Sequence, residues 1–380
     1  MLKSVSLHNF KCLREINNVN LAKINLLTGV NGEGKSTFVQ ALLVLSQTWN
    51  NGKYDLLNPS DSEMISLGGF QQILSYDAAP REILVGLSFD GESGGSFEMR
   101  YDESAQNSQY GELCGLKFNG EEMLADASDM GSADDMDVET TSTTPILGTL
   151  DSYPTLMSLK RMFYVSASRR AAYRLLRKNL FEKGVRLLPD GFNVLQMLAA
   201  MEPEEKDILR QYMTRIFGGA TINIEEDDEN YRLQLDSQPE STHLYDPINV
   251  GYGYSYVLTM LVSLIVAREN DYIVIENPEA HLHPSAQAEV IKIIAEVATS
   301  KGVQLFIETH SDHIVNGALV AVNRGTLTNR DIEVLFFNKG QVQTLEITGS
   351  GRIMNPPQKF CDQYTKDLDV LFGDVTTIFE

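Results

Sequence analysis

The residues Gly29-Val30-Asn31-Gly32-Glu33-Gly34-Lys35-Ser36 fit the spacing G-x-x-x-x-G-K-[ST]. Glycines at this spacing let successive backbone N–H groups curl around phosphate oxygens. A helix opening at Lys35 directs its positive end at the same anion. Lys35 supplies a point charge to the β- and γ-phosphates, and the Ser36 hydroxyl is placed to bind Mg2+. Gly29, Asn31, Gly32, Gly34 and Thr37 complete the expected phosphate contacts. Much further along, Tyr272-Ile273-Val274-Ile275-Glu276 is an apolar run ending in an acid, and Asn277-Pro278-Glu279 adds a second carboxylate. Chemistry on a nucleoside triphosphate needs a carboxylate near Mg2+, which assigns Glu276 to the metal beside Ser36. One of Glu276 and Glu279 then orients the attacking water.

Two further groups have chemistry in them. Four of the six histidines form the pairs His281/His283 and His310/His313. With Glu276 and Glu279 nearby, one reading is a Zn2+ site; the other is packing, at least for His283 and His313. The segment Lys160 to Arg186 carries nine Lys or Arg and one acid, Glu182. It reads either as a solvated helix face or as a basic surface for nucleic acid or an acidic partner. Arg169 or Arg170 is also placed to reach a nucleotide.

The elements that position these residues follow from periodicity. Ile24-Asn25-Leu26-Leu27 is a short buried strand, and Phe38, Leu42, Leu43 and Leu45 recur at helical spacing over Ser36 to Trp49. Strand, glycine loop and helix make the first unit of an α/β fold. Alternating runs from Ile83 to Phe118, broken by glycines, predict antiparallel sheet. Glu121 to Thr140 has eight carboxylates and no Lys or Arg, and predicts a solvated loop. Met157 to Phe217 reads mostly as helix, and Ile222 to Leu235 as a hairpin. Helices are expected at Gly251 to Arg268 and Ala286 to Ala298, and strands at Tyr272 to Ile275, Val303 to Glu308, Ile332 to Asn338 and Val342 to Ile347.

Composition excludes several classes. The chain has 380 residues, of which 43% are hydrophobic, and a formal charge of −21. Such a field repels polyanions, so broad coating of DNA is not expected. Cys12, Cys114 and Cys361 lie far apart, without disulfide or metal spacing, as in a reducing compartment. The most apolar stretch, Val257 to Ala267, is too short for a bilayer, and Met1 to Lys23 lacks a signal-peptide core. A cytoplasmic protein without membrane contact is expected.

The strand end Glu276-Asn277-Pro278-Glu279-Ala280-His281-Leu282-His283-Pro284 resembles the extended Walker B of ABC-type ATPases of the SMC/RecF/OLD-like group, where E-x-P-E-x-H-L-H-P recurs. Asn9-Phe10-Lys11 resembles their N-terminal strand. Asn249-Val250-Gly251-Tyr252-Gly253-Tyr254-Ser255 is similar to their degenerate signature motif, Tyr164 to Arg169 to their Y-x-x-A-x-R strand, and Glu308-Thr309-His310-Ser311 to their switch-histidine strand. The resemblance implies a P-loop NTPase fold of ABC/SMC-head type: α/β, with a mixed sheet, an antiparallel β subdomain and a helical insertion. Residues 1–90 and 241–380 would form the head. Residues 91–240 would be the insertion, with an acidic loop at 121–145 and a helical, basic segment at 157–217.

It further implies a composite site. Two heads pack face to face as a homodimer or higher oligomer, with ATP and Mg2+ between one P-loop and the partner's signature motif. Ser255 then meets the γ-phosphate, His310 senses hydrolysis, and Gln71 or Gln72 serves as the Q-loop residue. The expected activity is ATP hydrolysis that controls a separate effector, a nuclease or toxin, in anti-phage defence of the Septu-like kind or in DNA processing. The 380 residues leave no room for the nuclease domain of OLD-type proteins, so cleavage is expected of another subunit. The sequence departs from the group at Asn277, where the base that follows the Walker B acid is expected. An amide does not accept a proton as a carboxylate does. Either Glu279 or His310 takes that part, or the protein is a non-hydrolysing, ATP-sensing scaffold that sequesters a partner. A transporter motor would carry L-S-G-G-Q and D-E-P-T, and a GTPase N-K-x-D; none is present.

Overall fold

Strands alternate their side chains between two faces, so a parallel sheet covered on both sides must be apolar throughout. That requirement selects the core of this protein. The structure, a computed structural model, describes residues 1–52, 55–61, 63–91, 94–124, 153–172, 174–178, 186–238, 242–361 and 363–372. Its strands in chain order are β1 (Leu2–Phe10), β2 (Leu13–Asn20), β3 (Ile24–Gly29), β4 (Leu56–Leu57), β5 (Ile83–Phe89), β6 (Ser96–Glu103), β7 (Gly111–Phe118), β8 (Glu121–Leu124), β9 (Met162–Val165), β10 (Leu175–Arg177), β11 (Thr221–Glu226), β12 (Asn230–Asp236), β13 (Tyr272–Glu276), β14 (Gln304–Glu308), β15 (Ile332–Asn338) and β16 (Gln341–Leu345).

The core sheet runs β16-β15-β3-β14-β13-β9. All neighbours in it are parallel except the β15–β16 hairpin. Its residues divide by alternation. Tyr272 and Val274, with Leu27, Phe306 and Leu335, pack against the helix Lys35–Asn50 and the antiparallel sheet. Ile273 and Ile275, with Leu26, Leu305 and Val334, pack against the helices Tyr252–Val266, Pro284–Lys301 and Asp312–Asn323. The antiparallel sheet has the order β2-β1-β5-β6-β7-β4, with β8 on β7; a third sheet is β10-β12-β11. Among the described residues no helix is long and apolar enough to cross a membrane.

The mixed α/β architecture with an antiparallel subdomain is as expected, but the boundaries at 90 and 240 do not follow the sheets. Strands β6 and β7 complete the sheet that β1 and β5 begin, and β9 is an edge strand of the core. Residues 157–217 are also not mostly helical: they contain β9 and β10 before the helices Val194–Ala200 and Pro203–Phe217. Four apolar residues between Arg161 and Ser166 gain a ladder on β13, and that tertiary pairing overrides the helical spacing of the leucines that follow. Of the acidic stretch, Glu121–Leu124 is a strand rather than a loop; residues 125–152 lie outside the described residues.

Candidate active site

The parallel strands end together, and a crevice beyond their C-terminal ends is where α/β sheets bind ligands. Glu276 of β13 is in register with Glu308 of β14, and Glu308 with Leu27 of β3, one turn before the glycine loop. The loop leaves β3 at Gly29, φ 128°, where a Cβ would lie 2.2 Å from the Phe337 carbonyl oxygen. Only glycine permits this approach to β15. The helix begins at Lys35. Asn31 and Gly32 are exposed, Gly34 and Thr37 are buried, and Cys12 Sγ lies 3.5 Å from the Thr37 hydroxyl. The Lys35 ammonium donates to the carbonyls of Gly29 (3.0 Å) and Val30 (2.9 Å). Burial holds its pKa below the usual lysine range, against the opposing charges of Glu308 and Glu33.

The carboxylates are treated unequally. Glu276 Oε2 accepts the Ala167 N–H at 2.9 Å, and Tyr164 lies close enough to feel its charge. Burial, then the Glu276 charge, pushes the Tyr164 pKa up, so the phenol stays protonated as a donor. Arg169 braces this strand end: it donates to the carbonyls of Ser166 (3.0 Å), Glu276 (2.7 Å) and Asn277 (2.8 Å) and stacks on the Tyr256 ring, 4.1 Å from its centroid. Burial lowers its pKa to about 10, which leaves it charged at neutral pH. Arg169 is therefore a brace for the backbone at this strand end.

Glu308 was not among the residues expected to act, yet it touches the phosphate loop. Its Oε1 accepts the Ser36 hydroxyl at 2.8 Å. Its Oε2 is buried without a hydrogen-bond partner. Burial raises its pKa, helped by the charges of Glu276 and Glu279; the Ser36 hydrogen bond and Lys35 oppose this. The signal was present in sequence, since Glu308 ends an apolar run as Glu276 does.

Asn277 takes a left-handed conformation, φ 46°, and its side-chain oxygen is buried without a partner. Glu279 ties two loops together: its carboxylate accepts the Thr309 hydroxyl (2.9 Å) and the His310 N–H (2.9 Å). His310 is exposed at its surface but partly desolvated. That desolvation and the Lys35 charge lower its pKa against Glu279, so the imidazole is neutral at pH 7.

Three expectations change. Ser255 is 1% exposed and its hydroxyl donates to the Tyr252 carbonyl at 3.3 Å, one turn inside its helix. The surface at that helix start is Gly251 and Tyr252. Gly253 carries no side chain because a Cβ would lie 2.7 Å from the His281 carbonyl oxygen, so the helix start packs directly on the loop after β13. The Gln71 and Gln72 side chains bond Glu103, Arg81 and Gly69, and no P-loop residue.

The basic segment also is not one open face. Arg161 pairs with Asp271 (3.0 Å), Arg170 with Asp190 (3.6 Å), Arg174 with Asp246 (3.3 Å) and Lys178 with Glu226 (2.7 Å); Arg186 donates to the Lys160 carbonyl. Strand and coil send these four paired cations to four different acids, so a polyanion there would have to displace them. Residues 179–185 lie outside the described residues. As for Zn2+, no three His, Cys, Asp or Glu among the described residues are grouped to hold a metal. His283 instead caps its helix through Ser285, and the His281 ring packs on Tyr256.

Comparison with known proteins gives three results. The curated proteins contain no match. Among solved structures, the SMC head domain from Thermotoga maritima is similar at a TM-score of 0.45 and 11% identity, covering 91% of this chain and 99% of that chain. An SmcHead bound to the C-winged helix domain of ScpA reaches 0.47 and 13%, covering 91% and 98%. The Smc head domain with an extended coiled coil bound to the C-terminal domain of ScpA derived from Pyrococcus furiosus reaches 0.47 and 10%, covering 97% and 99%. The family described as "AAA domain, putative AbiEii toxin, Type IV TA system" matches residues 24–316, from the strand before the phosphate loop to the helix after His310. A match over so much of the chain means that this protein belongs to that family of AAA domains.

Proposed function

We propose that this chain is an ATP-hydrolysing ABC-type head that dimerises around ATP and thereby controls a separate effector. The observation that carries this reading is the single sheet edge that holds Lys35, Ser36, Glu276, Glu308 and, through Glu279, His310. The oxygen donors fit Mg2+: Ser36 and a strand-end carboxylate, Glu276 in the sequence reading, with Glu308 beside Ser36 and its Oε2 buried without a hydrogen-bond partner. When bound, Mg2+ supplies Lewis-acid stabilisation of the phosphate oxygens.

The chain's own residues do the rest. Gly29 to Gly34 wrap the phosphates. Lys35 leaves the Gly29 and Val30 carbonyls to meet them. Neutral His310, held by Glu279, accepts a hydrogen bond from the attacking water. The partner copy closes the site with the N-terminus of its Tyr252–Val266 helix, through the exposed Gly251 and Tyr252 rather than Ser255. The family's description speaks of a toxin, which favours an effector of the toxin or nuclease kind.

The test is molar mass by light scattering, with and without ATP and Mg2+, alongside phosphate release. Mass doubling with ATP, and turnover above a Lys35→Ala control, support the reading. Tyr252→Glu retains the helix start, where an acid is favourable, but repels a triphosphate in the partner; it should bind ATP and stay monomeric. Doubling by Tyr252→Glu would refute the composite site. A second reading rests on Asn277 at the place of the base: a non-hydrolysing ATP sensor that sequesters a partner. Tight ATP binding with no turnover selects it.

A further inference from the structure

We infer that Tyr256 is a positioning residue: its hydroxyl, through the Ala167 peptide, aims the Glu276 carboxylate at the divalent cation of the nucleotide. The inference rests on the reading of this edge as an ATP site, with Glu276 on the metal, and deepens it. Tyr256 lies in the helix Tyr252–Val266 and Ala167 in the turn after β9, so only the fold brings either to Glu276.

The hydrogen bonds converge on the turn Ser166 to Arg169. The Tyr256 hydroxyl donates to the Ala167 carbonyl at 2.6 Å, and the Ala167 N–H donates to Glu276 Oε2 at 2.9 Å. One residue thus receives a bond from the helix on one side and gives one to the carboxylate on the other. The turn itself is closed by the Arg169 N–H on the Ser166 carbonyl, at 3.2 Å. The buried Arg169 guanidinium ties that turn to both neighbours: it donates to the Tyr256 carbonyl (3.3 Å) as well as to the carbonyls of Ser166, Glu276 and Asn277. The Tyr256 ring is held in turn by Arg169, 4.1 Å from its centroid, and by the His281 ring, edge-on at 4.8 Å.

A buried phenol must bond something, and a carbonyl is an ordinary partner. What sets this bond apart is what the accepting residue does next. An N–H on one carboxylate oxygen sets the rotation of the group, and so the direction of the other oxygen. Supports of this kind, one bond removed from a metal ligand, are worth about 10–100-fold in metal affinity. The Arg169 bonds go to backbone carbonyls, so they fix where the strand end lies and leave the direction of the carboxylate to Ala167. Tyr256 is also one turn from Tyr252, the exposed residue of the helix start, and both rings contact His281. Glu276 is therefore aimed from the helix that would meet the partner copy.

The test uses Mn2+ as the probe with a non-hydrolysable fluorescent ATP analogue, so that turnover plays no part. Analogue binding is first measured in EDTA. The free Mn2+ concentration that half-saturates the protein–analogue complex is then read from the loss of the aqueous Mn2+ EPR signal. Tyr256→Phe keeps the ring between Arg169 and His281 and removes the hydroxyl. It should raise that concentration about fivefold, the size of one neutral hydrogen bond, with analogue binding in EDTA within twofold of wild type. Glu276→Gln should raise it about tenfold or more, and adding Tyr256→Phe to Glu276→Gln should change nothing further. Tyr254→Phe removes a hydroxyl from the same helix, where the ring stacks on Phe217, and should stay within twofold. A Tyr256→Phe value within twofold of wild type overturns the assignment and leaves the ATP site standing. So does a double variant in which the two shifts add, or a Glu276→Gln variant that shows none. An equal shift from Tyr254→Phe, or loss of analogue binding by Tyr256→Phe in EDTA, would place the hydroxyl in the general stability of the helix and also overturns it. Wild-type protein that binds no analogue in EDTA or in Mn2+ instead refutes the ATP site itself.

Discussion

The two ends of the core sheet are built to opposite rules. At the N-terminal end every polar side chain named here is matched. The buried Gln304 amide accepts the Leu2 N–H (3.0 Å) and donates to the carbonyls of Leu2 and Ala22 (2.8 Å each). Asn25 bonds Ala22 twice and Leu305 once. Asp331 holds Lys23 at 2.8 Å and the Thr328 hydroxyl. At the C-terminal end, Glu308 Oε2 and Asn277 Oδ1 are buried without partners, and Gly29, Asn277 and His281 have positive φ. The first end closes the fold. The second keeps strain and unmet hydrogen-bonding capacity where a ligand is to come, the pattern expected when stability is given up locally for function.

The sharpest division between the ends comes from Lys35→Ala. It should cost about 100-fold or more in ATP affinity, since a buried charged partner is worth about 2–5 kcal/mol, while the denaturation midpoint barely moves. Isothermal titration and urea unfolding read the two quantities. Gln304→Ala is the mirror image. It takes away the Gln304 partner of the Leu2 N–H and of the Leu2 carbonyl, and one of the two donors on the Ala22 carbonyl, and should destabilise by about 2–4 kcal/mol, with ATP affinity within twofold of wild type. Equal loss of affinity in both variants would show that the two ends are one unit and break the comparison.

The smallest effect belongs to the Lys23–Asp331 pair. Burial pushes the Asp331 pKa up, but the hydrogen bonds from Lys23 and Thr328 outweigh it, and the net pKa is below 3.8. A depressed carboxylate contributes stability above its unfolded pKa and loses it as pH falls through the folded one. Asp331→Asn should therefore cost about 0.5 kcal/mol at pH 7, and the gap to wild type should narrow as pH drops below about 4. A gap that widens on acidification would reverse the sign and count against the pair.

Much of this was legible in sequence, for local reasons. The phosphate loop is written in eight consecutive residues, and the buried strands around it are continuous apolar runs. The hairpin Thr221–Asp236 and the closing pair β15–β16 also announce themselves by alternation. What was not legible depends on partners distant in the chain. Met162 to Val165 becomes a strand only because β13 lies beside it. The cations from Arg161 to Lys178 look like a patch until acids as far away as Asp246 and Asp271 are folded against them. Ser255 falls at a plausible motif position, but helical geometry turns it inward. Glu308 and Glu276 have the same local pattern, and only the strand order tells which lies against Ser36.

One strand also joins the two ends. β14 is five residues long, about 16 Å of extended chain. It carries Glu308 at its tip and Gln304 at its base, and Gln304 clasps the first residues of the antiparallel sheet. Extended backbone held by ladders on both sides behaves as a stiff rod. Any axial pull on Glu308 reaches Leu2 without a hinge in between, which puts the remote sheet in mechanical communication with whatever sits against Ser36.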